Sequence, residues 1–333
     1  MAHRQLPSPF ALLLALAPLV APACKTDEGG VTEDQRIALH REFARKYFDA
    51  GEFAQAENQV NLGLEIDSDD QGLLLMKAWM RLRAGTRDDL FVAEKLFREQ
   101  ARSKDYRALL GLAEARERQG VLCREAAENV ESGQTATRAT DPKKRAAELR
   151  RDAIAAWKEA RTNYLAVLET RPSEIPALNG LQRVCALDGD LEASLGWSRK
   201  LLEVAKVEID FWRSDLQRPN LSALEEGELR RRLQASSRLL AETHLTAATT
   251  LLALDRKAAA TDELTAALEL DSSRAEAYSR RAQLLLDLGR VREARDDLQQ
   301  FIKLSTLGLE HRDMKRAADM LVECQRQLGN VGN

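Results

Sequence analysis

Two stretches near the C-terminus repeat the same residue types in the same register, 34 residues apart. The small and apolar positions of the first stretch are Ala248, Leu251, Ala260, Leu264 and Leu268, and they recur as Ala282, Leu285, Ala294, Leu298 and Ile302. Asp255 and Gly289 occupy the same place inside each stretch. A repeat of this length indicates a chain that stacks one helical unit on the next rather than closing one compact core.

The composition agrees with a helical chain and excludes a strongly charged surface. Aromatic residues make up only 5% of the 333 residues, and alanine, leucine, glutamate and arginine dominate, which favours helix. Charged residues reach 31% but nearly cancel, to a net charge of -3. Because acids and bases alternate along the predicted helices, we expect solvated helix faces and no binding of nucleic acid.

Four copies of the unit can be placed, at 37–70, 175–208, 241–274 and 275–308. In the first copy small and bulky residues alternate with a glycine turn: Phe43, Ala44, Tyr47, Gly51, Ala56, Gly63 and Leu64. This pattern resembles the tetratricopeptide repeat, whose unit is two antiparallel helices with small residues where they cross. The resemblance implies an all-α, right-handed superhelical solenoid. The alanines expected at helix contacts are Ala44, Ala56, Ala248, Ala260, Ala267, Ala282 and Ala294.

Helix signals divide the rest of the chain. The predicted segments are N-terminal repeats over 32–130, a loop over 131–141, irregular long helices over 142–220, C-terminal repeats over 221–308, and a capping helix with a tail over 309–333. Two degenerate units are expected within 71–130, and in the second, which begins with Leu109, Leu112 and Ala113, Gly120 stands where the repeat has its turn glycine. The helix that starts at Asp141-Pro142 matches the second helix of a unit whose first helix is missing or irregular, so we expect the stack to be interrupted or bent there.

Capping boxes are predicted at Thr32/Gln35, Ser222/Glu225 and Ser273/Glu276.

The N-terminus has the features of an export signal. Phe10 to Val20 is an apolar run of 11 residues, too short to span a bilayer. Ala21-Pro22-Ala23 then leads directly into Cys24, which resembles the signal peptide of bacterial lipoproteins. The resemblance implies a signal peptide over 1–23, acylation of Cys24, a flexible tether over 24–31, and a place in the cell envelope at the outer membrane. Cleavage by ordinary signal peptidase, which would leave a soluble periplasmic protein, is the alternative.

No spacing in the sequence predicts a catalytic or metal site. The four histidines lack zinc-ligand spacing, and His40 and His244 are expected to pack between helices. The segment 67–72 begins like a calcium loop, but Ala78 stands where the bidentate glutamate must be, so a turn is expected. The three remaining cysteines are predicted to be small buried apolar residues: Cys123, Cys185 and Cys324. One long-range disulfide between two of them is the alternative. We therefore predict no cofactor, no metal and no enzyme activity.

The remaining candidate is a groove. In the family that the repeats resemble, defined positions of the first helix line the concave face, and here they include Arg41, Arg45, Asn179, Arg183, Ser279 and Gln283. The basic set with which chaperone-binding members grip a peptide carboxylate is absent. A mildly basic groove for an acidic or extended peptide is the expectation.

These features predict an exported, lipid-anchored scaffold that mediates protein–protein interactions in the bacterial cell envelope. Its partners would be proteins, and the membrane through the lipid anchor. The alternatives are a periplasmic module that binds a ligand or peptidoglycan, a subunit of an envelope enzyme complex that uses the middle of the chain, and a purely structural spacer.

Overall fold

A computed structural model describes residues 32–134 and 141–330, and over these residues the chain forms only helices and the turns between them. Besides a short 3-10 turn at Ala101–Ser103, the helices are α1 (Glu33–Asp49), α2 (Phe53–Ile66), α3 (Gln71–Ala84), α4 (Arg87–Gln100), α5 (Tyr106–Glu131), α6 (Pro142–Thr170), α7 (Ile175–Asp188), α8 (Leu191–Asp215), α9 (Ala223–Ala253), α10 (Lys257–Leu270), α11 (Ala275–Asp287), α12 (Val291–Leu304) and α13 (Arg312–Asn330).

Consecutive helices form antiparallel pairs that stack in chain order. The pairs are α1/α2, α3/α4, α5/α6, α7/α8, α9/α10 and α11/α12, and α13 packs against α12. Each helix also contacts the one that follows it, so the series continues through the middle of the chain. The predicted all-α solenoid of tetratricopeptide-like helix pairs, with longer helices in its middle, is confirmed. Of the two departures expected there, an interruption of the series is not found among the described residues.

Small side chains lie at the helix contacts. All seven alanines expected there are buried: Ala44, Ala56, Ala260, Ala267, Ala282 and Ala294 at 0% exposure and Ala248 at 1%. Leucines fill the space beside them, as Leu264 and Leu298 do in the last two complete pairs. Because a methyl group is the largest side chain that closely crossing helices admit, these residues set the distance between helices.

Side-chain caps and left-handed turn residues fix where several of the helices begin and end. The capping boxes of Thr32 with Gln35 and of Ser222 with Glu225 are present. The one predicted at Ser273 is wrong, because α11 begins at Ala275 and the Ser273 hydroxyl instead donates to Asp271 Oδ1 at 2.6 Å. Gly289 takes a left-handed φ of 74° in its turn, and Asp255 takes the same conformation, with a φ of 56°, one repeat earlier.

Gly120 lies inside a helix and not at a turn. Helix α5 runs without a break from Tyr106 to Glu131, and α6 is its partner, so the first helix that seemed to be missing before α6 is α5. A Cβ on Gly120 would lie 2.3 Å from the indole Nε1 of Trp157. The glycine therefore admits the tryptophan at the crossing of two long helices, and the sequence-based turn was wrong.

Helices α5 and α6, which form one pair, and helices α8 and α9, which belong to successive pairs, extend beyond their neighbours. Helices α5 and α6 have 26 and 29 residues, against 14 in α3, α4 and α7. The C-terminal part of α5 and the N-terminal part of α6 extend beyond the N-terminal end of α4. There the two helices are held together by a small core of their own, formed by Ala127, Ala146 and Leu149. Helices α8 and α9 extend in the same way, joined by Ser236 Oγ, which donates to Glu208 Oε2 at 2.8 Å.

Helix α13 has one apolar and one polar face, as expected of a cap. Met314, Ala317 and Cys324 are buried against the last pair, whereas Lys315 and Arg326 are exposed. Cys185 is also buried, but Cys123 is only half-buried, and all three of these cysteines are free thiols. Across the part of the chain that the structure describes, no helix has both the length and the apolar character needed to cross a membrane.

Candidate binding groove

The six residues predicted to line a groove all lie on the first helices of their pairs, but on three pairs that are not consecutive. Arg41 and Arg45 are on α1, Asn179 and Arg183 on α7, and Ser279 and Gln283 on α11. We call the surface formed by the first helices of the pairs, from α1 to α11, the A-helix groove, after the concave face that the repeat resemblance predicts. The six residues do not form one cluster on this surface; they lie at three separate places along it.

Arg41 joins the first pair to the second. Its Nε donates to Asp70 Oδ1 at 2.9 Å, and its Nη2 contacts the other carboxylate oxygen. Asp70 also caps α3 by accepting from the amide of Leu73 at 2.8 Å. Burial opposes ionisation of Asp70, yet the hydrogen bonds from Arg41 and Leu73 prevail and hold the pKa of Asp70 below its ordinary value. Arg45 extends into solvent, with its Nε 3.9 Å from Asp49.

Arg183 is held by a buried carboxylate on another pair. Its Nε and Nη2 donate to the two oxygens of Glu117 at 2.6 and 2.8 Å, and the hydroxyl of Tyr164 donates to Glu117 at 2.7 Å. Tyr164 is fully buried, and burial together with the Glu117 charge raises its pKa well above the ordinary value. These three residues join α5, α6 and α7, so the arginine predicted to face a partner is part of the internal structure.

A pocket of about 400 Å³ opens beside this triad, at the centre of the A-helix groove. It is lined by Glu114, Glu117, Arg118 and Arg183. Arg118 donates through Nη1 to the carbonyl of Leu82 at 2.8 Å, and its Nη2 stays 3.9 Å from Glu114. Burial raises the pKa of Glu114, against the opposing charges of Arg118 and Arg183. Neither Glu114 nor Glu117 was singled out from the sequence, because their partners are distant along the chain.

Ser279 and Gln283 line a second pocket, of about 370 Å³, near the C-terminal end of the groove. Arg316 of α13 donates to Gln283 Oε1 at 2.8 Å, and Lys257 pairs with Asp287 at 2.7 Å on its wall. The pocket is therefore built by the last repeats together with the capping helix.

A larger cleft, of about 1060 Å³, lies where the α5/α6 pair extends past the start of α4. Its floor is mostly apolar and includes Leu90, Leu122 and Leu149, and Phe91 on its rim is 68% exposed. Beneath it, Arg116 and Arg98 both pair with Glu159, at 2.8 and 2.7 Å, and join α4, α5 and α6. No sequence pattern indicated this cleft, because it depends on the length of a helix that was predicted to end at Gly120.

The two half-buried histidines have the same role in two repeats. His40 Nδ1 is 2.8 Å from Gln59 Oε1, and His244 Nδ1 is 2.6 Å from Glu263 Oε2. Each contact joins the first helix of a pair to the second, 19 residues later, by a polar bond in place of the expected simple packing. Within residues 32–134 and 141–330, no group of three or more histidines, cysteines or carboxylates has the geometry to hold a metal ion.

Comparison with known proteins gives information about the fold of this chain alone. No protein-family profile and no curated protein matches the sequence. The structure is similar to that of the assembly chaperone of RpL4 (Acl4, residues 1–338), with a TM-score of 0.50 and 18% identity over 77% of this chain and 84% of that one. It also matches PilF of Pseudomonas aeruginosa, with a TM-score of 0.49 and 12% identity over 85% and 97% of the two chains. A third match is a thermophilic tetratricopeptide repeat protein of Thermus thermophilus, with a TM-score of 0.30 and 15% identity over 87% of this chain and 100% of that one.

Glu114→Gln is expected to stabilise the protein more at pH 7 than at pH 4. Because burial raises the pKa of Glu114 in the folded state, the folded protein holds this proton more tightly than the unfolded chain. Its stabilising contribution is present below the unfolded pKa and is lost as pH rises through the folded pKa. Glutamine does not titrate, so the advantage of the variant grows with pH. Urea unfolding at both pH values measures it, and an equal difference at the two would contradict the prediction.

Proposed function

We propose that this chain is an exported, non-catalytic scaffold, anchored to the membrane through lipid on Cys24, which holds a protein partner in the A-helix groove at the cell envelope. A stack of helix pairs with the tetratricopeptide-like fold supports a role in protein–protein interaction. The anchor and the location are supported by the sequence of 1–31, which lies outside the described residues.

The observation that carries the proposal is a pair of open pockets on the first helices of the stack. The two pockets, of about 400 and 370 Å³, lie on different pairs of one stack and are both open to solvent. Ligand pockets for small molecules surround most of their ligand and have mainly apolar walls. Two open pockets lined largely by charged and polar side chains suit an extended polypeptide, which can reach both, better than one compact ligand.

Photocrosslinking tests the groove. A photoreactive amino acid placed at Asn179 or at Gln283 in the full chain, in cells that make it natively, is expected to give discrete adducts with a partner protein. The same amino acid at Glu269, an exposed position on the second helix α10, is the matched control and is expected to give none. Adducts that do not depend on position, or no adduct from the groove, would overturn the proposal.

Acylation of Cys24 has its own test. Cells that make the full chain are labelled with an alkyne fatty acid, and the wild type is expected to incorporate label and to sediment with membranes. Cys24→Ala is expected to lose both, and Cys123→Ala, which changes a half-buried thiol, is expected to lose neither. Equal labelling of the wild type and Cys24→Ala would disprove the anchor, and it would leave the groove proposal standing.

A further inference from the structure

The arginines of the A-helix groove are already neutralised by carboxylates of the chain itself. Arg41 is held by Asp70, and Arg183 by Glu117, each through two guanidinium nitrogens. Both carboxylates are buried, with 3% and 9% of their side chains exposed, so the pairs are fixed parts of the structure. The basic groove expected from the sequence is therefore not basic where these two residues lie.

Glu114 differs from these carboxylates because no hydrogen bond holds it, and its one ion pair, with Arg118, is long at 3.9 Å. It lies on α5, one turn before Glu117, and it forms part of the wall of the central pocket. Among the described residues its carboxylate makes no hydrogen bond, and its nearest cation, Arg118 Nη2, is 3.9 Å away. Only 24% of the side chain is exposed, so solvent reaches it poorly.

Both arginines of the pocket already donate hydrogen bonds to other groups, Arg183 through two nitrogens and Arg118 through Nη1 alone. Arg118 donates to the carbonyl of Leu82, and Arg183 donates both to Glu117 Oε1 and to Glu117 Oε2. An anionic ligand would have to compete with Glu117 for Arg183 and would lie beside Glu114. A cationic ligand displaces no existing hydrogen bond at Glu114 and competes there only with the 3.9 Å ion pair to Arg118.

Energetics favour the cation. A carboxylate that is largely removed from water without a compensating hydrogen bond destabilises the folded state, and an incoming ammonium or guanidinium group supplies the missing bonds in charge-assisted form. The raised pKa of Glu114 agrees with this lack of a hydrogen bond. The pocket volume of about 400 Å³ leaves room for the long side chain of lysine or arginine.

We propose that Glu114 recognises a lysine or arginine side chain of the partner polypeptide, which enters the central pocket between α5 and α7. The inference rests on the proposed function, because it assumes that a polypeptide occupies the A-helix groove. It replaces the acidic peptide expected from the sequence by one with a basic residue at a fixed position.

A library of immobilised twelve-residue peptides tests this specificity. The library is randomised at every position and is exposed to the purified full chain in detergent, and the residues enriched in bound peptides are determined. Soluble versions of bound peptides are then compared by fluorescence anisotropy, with lysine or arginine at the enriched position replaced by norleucine or glutamine. The loss of affinity is expected to be about tenfold or more, which corresponds to about 1.4 kcal/mol.

Two variants assign the effect to the pocket. Glu114→Gln is expected to bind the basic and the norleucine peptides equally. Glu125→Gln changes an exposed carboxylate on the same helix and is expected to keep the full preference. Circular dichroism and thermal unfolding establish whether both variants are folded. The preference for a basic residue is measured on the wild type alone, so it tests the proposal even if a variant does not fold.

The outcomes separate the two proposals. Binding without a basic preference, an acidic preference, or a preference unchanged in Glu114→Gln would overturn the role of Glu114 and leave the groove as a polypeptide site. If the wild type binds no peptide while groove crosslinks to a protein are found, the partner is recognised as a folded surface and the Glu114 proposal is wrong. If neither peptides nor crosslinks are found, the proposed function fails.

Discussion

Replacing Gly180 by alanine is expected to lower the free energy of unfolding by about 3 kcal/mol. A Cβ at this position would lie 2.2 Å from Cζ of Tyr164, well inside van der Waals contact. Tyr164 is fully buried, and its hydroxyl is fixed by the bond to Glu117, so the ring cannot move without breaking that bond. The cost is therefore expected at the upper end of the usual range for overpacking.

Gly196→Ala is the matched control for this change. Gly196 lies inside helix α8, and an added Cβ would meet nothing within 4 Å. Since alanine favours a helix interior by up to about 1 kcal/mol over glycine, this variant is expected to be stabilised. Denaturant unfolding followed by tryptophan fluorescence compares the two. Similar midpoints for both variants would contradict the close packing of Gly180 against Tyr164.

Glu117→Ala is expected to destabilise the protein by about 2–3 kcal/mol. The change leaves the buried hydroxyl of Tyr164 without its acceptor and Arg183 without its carboxylate. Loss of one partner from a fully buried ion pair usually costs about 3–5 kcal/mol. Arg183 keeps 41% of its side chain exposed, so water compensates part of that loss, and the lower estimate applies.

Two further variants show whether the charge or the hydrogen bonds matter more. Glu117→Gln keeps an acceptor for Tyr164 and is expected to lose less stability than Glu117→Ala. Glu131→Gln breaks an exposed pair with Arg150 and is expected to leave the unfolding midpoint unchanged. If Glu117→Ala were tolerated as well as Glu131→Gln, the triad would have no structural role, and Arg183 would be free to meet a partner.

Residues that act within one unit could be predicted from the sequence, and residues that act between distant units could not. The alanines at the helix contacts recur at a fixed period, so their burial follows from the repeat itself. Glu117 and Arg183 are 66 residues apart and lie in units whose sequences have diverged, so no spacing relates them. The repeat pattern placed Arg183 on the groove face without showing that a buried carboxylate already held it.

Gly120 shows why the middle of the chain was predicted less well. Glycine is common both at helix ends, where it allows a left-handed φ, and at close helix crossings, where it leaves room for a large neighbour. Gly289 is of the first kind and Gly120 of the second, and the local sequence does not distinguish them. The role of Gly120 in α5 is decided by Trp157, a residue of the next helix, α6, whose indole packs against the glycine. The 26-residue length of α5, and with it the apolar cleft, follows from that decision.

The part of the α5/α6 pair that extends past α4 has a consequence for how such a chain can change. Its distal core, formed by Ala127, Ala146 and Leu149, belongs to these two helices alone. Adding or removing the same number of turns from both helices would leave every junction between neighbouring units intact. The length of the extended part of α5 and α6 can therefore change, in evolution or by design, without altering the packing between the other helix pairs.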